Sequence, residues 1–224
     1  GVFHHWLISR DHEFLESMWN TVQRAIDFAV GLQRPGGQCC WAVSPQGKVD
    51  PMALLTGCSS VYMSLKCACA IAAQRGAPRP HWNEARQRLG AAIRRRPHLF
   101  NMTKSRFSMD WFYPVLCGAV TGTQADERIE RQWQKFVVDG LGVRCVSDRP
   151  WVTIAESAEL VLALSAMGDE AKARIVFGWL APHVFEDGSF WCGFTFPDMT
   201  RWPEAQIAWT NAAVLMAADA LFSL

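Results

Sequence analysis

Acidic residues recur in the chain where long predicted loops lead into apolar helices. Glu156 starts one such helix, and Glu159 lies one turn further along on the same side. Two neighbouring carboxyl groups can cleave a glycosidic bond, because one protonates the leaving oxygen while the other activates water or attacks the sugar. We predict Asp110 and Glu156 for the acid and base roles. The remaining catalytic candidates are Asp50, Glu159 and Glu204.

Aromatic residues accompany these acids. The chain has 11 Trp and 13 Phe but only 2 Tyr, and several of the aromatic residues stand beside glycine or proline in predicted loops. Their flat apolar faces can stack on sugar rings. We therefore expect a substrate-binding set composed of Trp41, Trp111, Tyr113, Arg144, Trp151, Asp187, Trp191 and Trp202.

Two structural explanations compete with chemistry at these acids. Asp and Glu near a helix start are commonly caps or partners of the helix dipole. Glu156 and Glu159 interrupt an otherwise apolar helix, where an unpaired carboxylate is costly, so their structural alternative is a buried ion pair. Arg144 and Arg149 are the nearest candidates for that pairing.

Helical periodicity dominates the chain and alternates between two kinds of helix. One-faced amphipathic helices are predicted over 11–32, 81–95, 125–138 and 169–180. Helices that are apolar around most of their circumference are predicted over 56–74, 111–120, 153–166 and 203–221. Pro114 fits only the first turn of its helix, because proline lacks an N–H to donate.

This alternation predicts an all-α fold with an outer layer of amphipathic helices around an inner layer of apolar ones. About four helical hairpins of this kind form an incomplete α/α toroid, within one domain spanning residues 1–224. The long connections, 33–53, 97–110, 139–152 and 181–202, all lead from outer to inner helices. We therefore expect them to share one face, which also carries the N-termini of the inner helices.

Composition restricts the partners of the chain. With 224 residues and a net charge of +1, it has no basic field for nucleic acid. We expect no transmembrane segment, because the apolar stretches carry polar residues and fall short of the ~20 needed. No signal peptide is apparent at the start, and the cysteines resemble reduced core residues, so a cytoplasmic location is expected.

No cofactor or metal is expected either. His183, Asp187 and Cys192 share one loop, but their spacing matches no structural zinc pattern. Glycine-rich phosphate loops, dinucleotide-binding fingerprints and nucleophile-elbow motifs are absent from the sequence.

Several segments resemble known families. RAIDFAVGLQRPGGQCCW (24–41) resembles the repeat of squalene and hopene cyclases, and ARIVFGWLAPHVFEDGSFW (173–191) is a looser copy. HHWLISRDHEFLESMWNTVQRAIDFAV (4–30) is similar to the helix start of six-hairpin glycosidases of the glucoamylase type. In its order of segments the whole chain resembles bacterial prenyltransferase-like proteins. All of these resemblances imply an α/α toroid.

The resemblances leave several functions open. The first is a glycoside-hydrolase-like enzyme acting on a glycan at the long-loop face. The second is a terpene-cyclase-like or prenyltransferase-like protein, although the Asp-x-Asp-Asp acid motif and the zinc set of those families are missing. The third is a non-catalytic binding scaffold. Six hairpins complete such a toroid, so we expect either N-terminal truncation or an open seam covered by self-association.

Overall fold

The computed structural model describes residues 1–224, which form nine α-helices and two small antiparallel sheets. The chain divides into two compact units, Gly1–Met102 and Thr103–Leu224. The interpretation of residues 1–224 as one domain stays a prediction. The all-α character expected from the sequence is confirmed.

The first unit is built from four helices and a short hairpin. The helices are α1 (Val2–Ser9), α2 (His12–Gly31), α3 (Leu55–Gln74) and α4 (Pro80–Arg95), and the hairpin pairs β1 (Ala42–Val43) with β2 (Val49–Asp50). The Asp11 carboxylate caps α2 by accepting a hydrogen bond from the Phe14 N–H at 2.9 Å. Trp19 and Trp82 pack in the core of this unit with their ring centroids 5.8 Å apart.

Helix α3 is apolar enough to raise the question of a membrane span. Its length and its mean hydropathy of 1.2 are sufficient for a helix that crosses a bilayer. It packs against α2 and α4, as a core helix does, and Leu65 and Ala72 are fully buried. We therefore interpret α3 as the apolar core helix predicted over 56–74.

The second unit contains five helices and a four-stranded antiparallel sheet. The helices are α5 (Ser108–Leu116), α6 (Thr123–Phe136), α7 (Ile154–Met167), α8 (Glu170–Gly178) and α9 (Ala208–Phe222). The sheet has the order β3 (Val137–Val138), β4 (Gly142–Arg144), β5 (Trp151–Thr153) and β6 (Gly193–Thr195). Sequence periodicity did not predict these strands, because each has only two or three residues.

Helix α7 is the central element of the second unit. It packs against α5, α8 and α9, and ten of its 14 residues are buried, as its apolar circumference predicts. Ser157 attaches it to the sheet, because its hydroxyl donates to the Thr153 carbonyl at 2.7 Å and accepts from the Val143 N–H at 2.8 Å. Gly142 allows this contact, since a Cβ there would lie 2.5 Å from Ser157 Oγ.

Helix α5 begins earlier than predicted, and this corrects the position of Pro114. The helix starts at Ser108, so Pro114 lies inside it rather than in its first turn. Proline cannot donate to the carbonyl four residues earlier, which belongs to Asp110. The half-buried guanidinium of Arg128 on α6 satisfies that carbonyl instead, with Nη2 donating to Asp110 O at 2.7 Å. The side chain of Arg128 thus makes an interior proline tolerable.

Helix α9 differs from its prediction in two ways. It begins at Ala208 rather than near 203, because the preceding residues stay with the loop, where Gln206 Nε2 donates to Asp187 Oδ2 at 3.1 Å. Only one of its faces packs against α7. The opposite face exposes Leu215 and Met216, so α9 is not buried all round as the sequence predicts.

Candidate active site

Three long connections meet at the N-terminus of α7 in the second unit. β5 leads into α7 and pairs with β4 on one side and β6 on the other. The Ser108 N–H donates to the Cys145 carbonyl at 3.0 Å, which brings the start of α5 to the same place. The Ile154 N–H donates to the Cys192 carbonyl at 3.1 Å. The loops predicted to share one face therefore do so within this unit.

Glu156 and Glu159 are the two buried acids of α7, with 5% and 7% of their surfaces exposed. Glu156 lies in the first turn, where the partial positive charge of the helix N-terminus stabilises an anion. The two side chains lie three residues apart, so their Cβ atoms are neighbours on one helix face, about 5–6 Å apart. The pair thus forms a compact carboxyl site at the end of the sheet.

The carboxyl group of Glu159 holds its proton unusually tightly. Burial raises the pKa of Glu159 to about 7, and the negative charge of Glu156 adds to this effect. Hydrogen bonding by the Tyr113 hydroxyl, at 2.8 Å from Oε1, and the indole of Trp209 act in the opposite direction on the pKa. The other oxygen, Oε2, is buried and has no hydrogen-bond partner. A large fraction of Glu159 therefore keeps its proton near neutral pH and is available to donate it.

A helix-dipole role fits the position of Glu156 in the first turn of α7, but neither a cap nor a buried ion pair accounts for it. Its carboxylate accepts no backbone hydrogen bond, and the Thr153 side chain does not cap α7. Arg144 and Arg149 form no ion pair with it, although both were the candidates for a buried pairing. Its polar environment comes instead from the thiol of Cys145. Burial and the charge of Glu156 together raise the pKa of that thiol.

Asp110 is also buried, in the first turn of α5. Burial lowers the pKa of the Arg128 guanidinium, and the negative charge of the Asp110 carboxylate partly offsets this effect. Helices α5 and α7 pack against each other, so Asp110 shares this end of the unit with the α7 acids. It stays a candidate for the acid or base role.

A group of aromatic residues lies at the sheet, and Trp202 is its exposed member. The rings of Trp151 and Trp202 meet edge to face at 5.2 Å, and Trp151 Nε1 donates to the Trp202 carbonyl at 2.9 Å. The guanidinium of Arg144 lies 5.3 Å from the ring centre of Phe196, and its buried Nε has no partner. Trp202 is 58% exposed, so this group offers a flat apolar surface next to polar donors.

Four predicted site residues belong to the other unit, lie in a loop or have a different role. Trp111 is only 1% exposed, since its ring stacks on Phe136 in the core, so it does not line a sugar subsite as predicted. Glu204 is exposed and lies in the loop before α9. Asp50 and Trp41 are both exposed and belong to the first unit.

The structure adds residues that sequence reasoning did not assign. Cys145 contacts Glu156, and Trp209 faces Glu159 from the first turn of α9. Phe185, Arg201 and Gln206 line a pocket with Asp187. No local pattern in the sequence marks these residues. Their roles depend on strand pairing and on which side of α9 faces α7.

Metal-ligating side chains do not converge in the structure. No group of three or more His, Cys, Asp or Glu side chains has an arrangement that could hold a metal ion. His183 is buried against the rings of Trp191 and Phe194, with centroid distances of 5.1 and 4.2 Å. Asp187 is instead an exposed turn residue that accepts hydrogen bonds from Ser189.

Comparison with solved structures supports the α/α-toroid fold. The chain is similar to an inactive variant of an alpha-1,6-mannanase (GH76A) from Salegentibacter sp. HEL1_6, solved with alpha-1,6-mannotetrose. The TM-score is 0.67 at 12% identity, over 92% of this chain and 64% of the mannanase chain. The predicted toroid fold is therefore confirmed.

Comparison with protein sequences finds a relative of much higher identity. The chain is 52% identical over 221 residues to an enzyme of Mycolicibacterium hassiacum (strain DSM 44199 / CIP 105218 / JCM 12690 / 3849) named MMP endo-(1,4)-3-O-methyl-alpha-D-mannosidase. The match covers 99% of this chain and 61% of the relative, so the chain spans about three fifths of the relative's length. No family model matches the chain. The comparisons support the resemblance to toroid glycosidases and do not support the one to prenyltransferase-like proteins.

Proposed function

We propose that this chain belongs to an endo-acting glycoside hydrolase that cleaves internal α-(1→4) bonds between 3-O-methylmannose residues. The relative at 52% identity supports this substrate, since its name specifies that linkage and that sugar. The toroid fold supports the reaction class, because the mannanase that shares it also acts on an α-mannan. A cytoplasmic location and self-association stay predictions.

The carboxyl pair of α7 is the observation that carries the proposal. Glycosidic cleavage needs one carboxylic acid that keeps its proton and a second, ionised carboxylate nearby. Burial raises the pKa of Glu159 to about 7, so this carboxyl group keeps its proton at lower pH. Glu156 lies at the N-terminus of the helix, where the partial positive charge stabilises an anion. Neither acid has the ion-pair partner that a purely structural role would require.

We assign a distinct step to each acid. Glu159 donates its proton to the glycosidic oxygen as the bond from the anomeric carbon to that oxygen breaks. Glu156 either removes a proton from the attacking water or attacks the anomeric carbon directly. Asp110 is the alternative partner of Glu156, because it is buried at the same end of the unit.

The aromatic residues beside the sheet take the role of sugar platforms. Trp202 presents exposed ring surface against Trp151, and the guanidinium of Arg144 lies nearby against Phe196. A neutral methylated sugar matches this mixture of flat apolar area and a few polar groups. The isoprenoid alternative is less consistent with the chain, because the Asp-x-Asp-Asp acid motif that protonates terpenes is missing from the sequence.

Hydrolysis of defined oligosaccharides tests the proposal. The full-length protein is incubated with an α-(1→4)-linked oligomer of 3-O-methylmannose and with the unmethylated oligomer of the same length. Mass spectrometry of the products should show internal cleavage of the methylated oligomer, with each cut adding one water. Recovery of both oligomers intact, from folded protein over pH 5 to 8, would refute the proposed function.

A further inference from the structure

We propose that a pocket in the loop between α8 and α9 is a separate subsite for one O-methylated sugar residue of the glycan. The inference rests on the proposed function and deepens it, since it names a binding site outside the carboxyl pair. The pocket has a volume of about 390 Å³ and is lined by Val184, Phe185, Glu186, Asp187, Arg201 and Gln206. This volume falls in the range of ordinary small-ligand pockets, about 300–1,000 Å³.

Arg201 supplies hydrogen-bond donors that the protein does not use. Its guanidinium lies 5.3 Å from the ring centres of both Phe185 and Trp191, which fix its position. Its side chain makes no hydrogen bond and no ion pair. A guanidinium has five N–H donors, and those of Arg201 are free to reach a ligand in the pocket.

Asp187 and Gln206 supply a fixed acceptor and a second donor. Asp187 Oδ1 accepts from the Ser189 N–H at 3.0 Å and from its hydroxyl at 2.7 Å, while Oδ2 accepts from Gln206 Nε2 at 3.1 Å. These bonds lower the pKa of Asp187, so it stays an acceptor at neutral pH. An anionic ligand would be repelled by Asp187 and Glu186, whereas sugar hydroxyls both donate and accept.

Apolar side chains complete the pocket and favour a methylated sugar. Val184 is 38% exposed, and it stands next to Phe185 in the pocket wall. A methyl ether gains from contact with such a surface, while a free hydroxyl in the same place does not. The mixed lining therefore fits an O-methylated hexose better than an unmethylated one.

The pocket is continuous along the chain with the carboxyl site. Trp191, whose ring contacts Arg201, precedes Cys192 directly. The Cys192 carbonyl accepts from the Ile154 N–H at the start of α7. Burial, with a contribution from the charge of Glu156, raises the pKa of the Cys192 thiol. The segment that contacts Arg201 at Trp191 therefore reaches the N-terminus of α7 at the next residue.

Binding measured without turnover tests the subsite. Calorimetric titration uses Glu156→Gln protein and the methylated tetrasaccharide, with Arg201→Met and Gln206→Ala each added to that background. We expect each added change to weaken binding, with about a tenfold rise in Kd for Arg201→Met. The matched control is Arg131→Met, an exposed arginine on α6, which should leave Kd unchanged. The subsite proposal would be overturned if Arg201→Met left the Kd unchanged. It would also be overturned if the Glu156→Gln background protein did not bind the tetrasaccharide at all.

A second variant tests the preference for the methyl group. Val184→Ser should reduce the ratio of affinities for methylated over unmethylated tetrasaccharide, while Arg131→Met should not. A ratio that stays the same would overturn the methyl assignment. The proposed function fails separately: a protein that binds through Arg201 but hydrolyses neither oligosaccharide retains the subsite and loses the enzymatic role.

Discussion

The hydroxyl of Tyr113 donates a hydrogen bond to Glu159 Oε1 at 2.8 Å, linking α5 to the first turns of α7. Both partners are affected by this contact. Burial and the charge of Glu159 raise the pKa of Tyr113, so the phenol stays protonated and remains a donor. Its hydrogen bond in turn stabilises the ionised form of Glu159 and limits the rise of the Glu159 pKa.

Removing this hydroxyl should shift the pH dependence of the reaction. If Glu159 is the acid, activity falls as pH rises through its pKa of about 7. In Tyr113→Phe the ionised carboxylate loses a donor, so the pKa rises and the alkaline limb of kcat/KM against pH moves up by about one unit. Tyr62→Phe, at the other tyrosine of the chain, is the control. An alkaline limb that stays in place or moves down in Tyr113→Phe would exclude Glu159 as the acid.

The raised pKa of Glu159 also predicts a pH-dependent stability. A carboxyl whose folded pKa lies above its unfolded value contributes stability that is complete below about 4.5 and is lost as pH rises through about 7. The full contribution is about 3 kcal/mol. Glu159→Gln removes this dependence, so the variant should gain stability relative to wild type between pH 5 and pH 8 in urea unfolding.

An exposed glutamate provides the control for that measurement. Glu127 lies on the solvent side of α6, so Glu127→Gln should follow the wild-type curve at every pH. If the difference in unfolding free energy between Glu159→Gln and wild type is the same at pH 5 and at pH 8, as it should be for Glu127→Gln, then Glu159 does not hold its proton as described.

Two tryptophans of the predicted sugar-binding set should behave in opposite ways. Trp111 is buried, and its Nε1 donates to the Arg128 carbonyl at 3.0 Å, so Trp111→Phe should cost about 2 kcal/mol of stability and leave KM unchanged. Trp202 is exposed, so Trp202→Ala should raise KM with little effect on the free energy of unfolding. Thermal unfolding and initial rates with the methylated oligomer separate the two. A raised KM for Trp111→Phe would return Trp111 to the sugar-binding set.

Arg128 should be essential to the stability of α5. Its guanidinium donates to the carbonyls of Asp110 and Trp111, and the first of these has no helical donor because of Pro114. Arg128→Met leaves both carbonyls without that partner and should cost about 2–3 kcal/mol. Arg131→Met, three residues further along α6, should cost little. Equal unfolding free energies for the two variants would contradict this account of Pro114.

Much of the fold was predictable because burial repeats with helical period. Ten buried residues of α7 follow from an apolar pattern that extends around the helix, whereas α3 buries only seven of its 20 residues. The outer helices were equally clear, as the cap at Asp11 illustrates. The strands were missed because two or three residues carry no readable alternation. The start of α5 was missed because its proline is compensated by Arg128, which is distant in sequence.

The candidate site was only partly predictable. Glu156 and Glu159 could be selected because buried acids are rare in an apolar helix and demand a reason. Trp111 was misplaced, since composition alone does not distinguish a core tryptophan from an exposed one. Cys145 was not assigned, because it lies where β4 pairs with β5. Arg201 was not assigned, because its position depends on an isolated bridge to Phe194. Tertiary pairing of this kind leaves no local signal.

The rate of glycan cleavage by Glu156→Gln tests the central claim most directly. The substitution keeps the size of the side chain and removes its charge, and Glu127→Gln makes the same change on an exposed surface. We predict that Glu156→Gln stays folded, binds the methylated oligosaccharide and loses at least about 100-fold in kcat, while Glu127→Gln retains wild-type kcat. Wild-type kcat in folded Glu156→Gln protein would contradict the assignment of α7 as the catalytic helix.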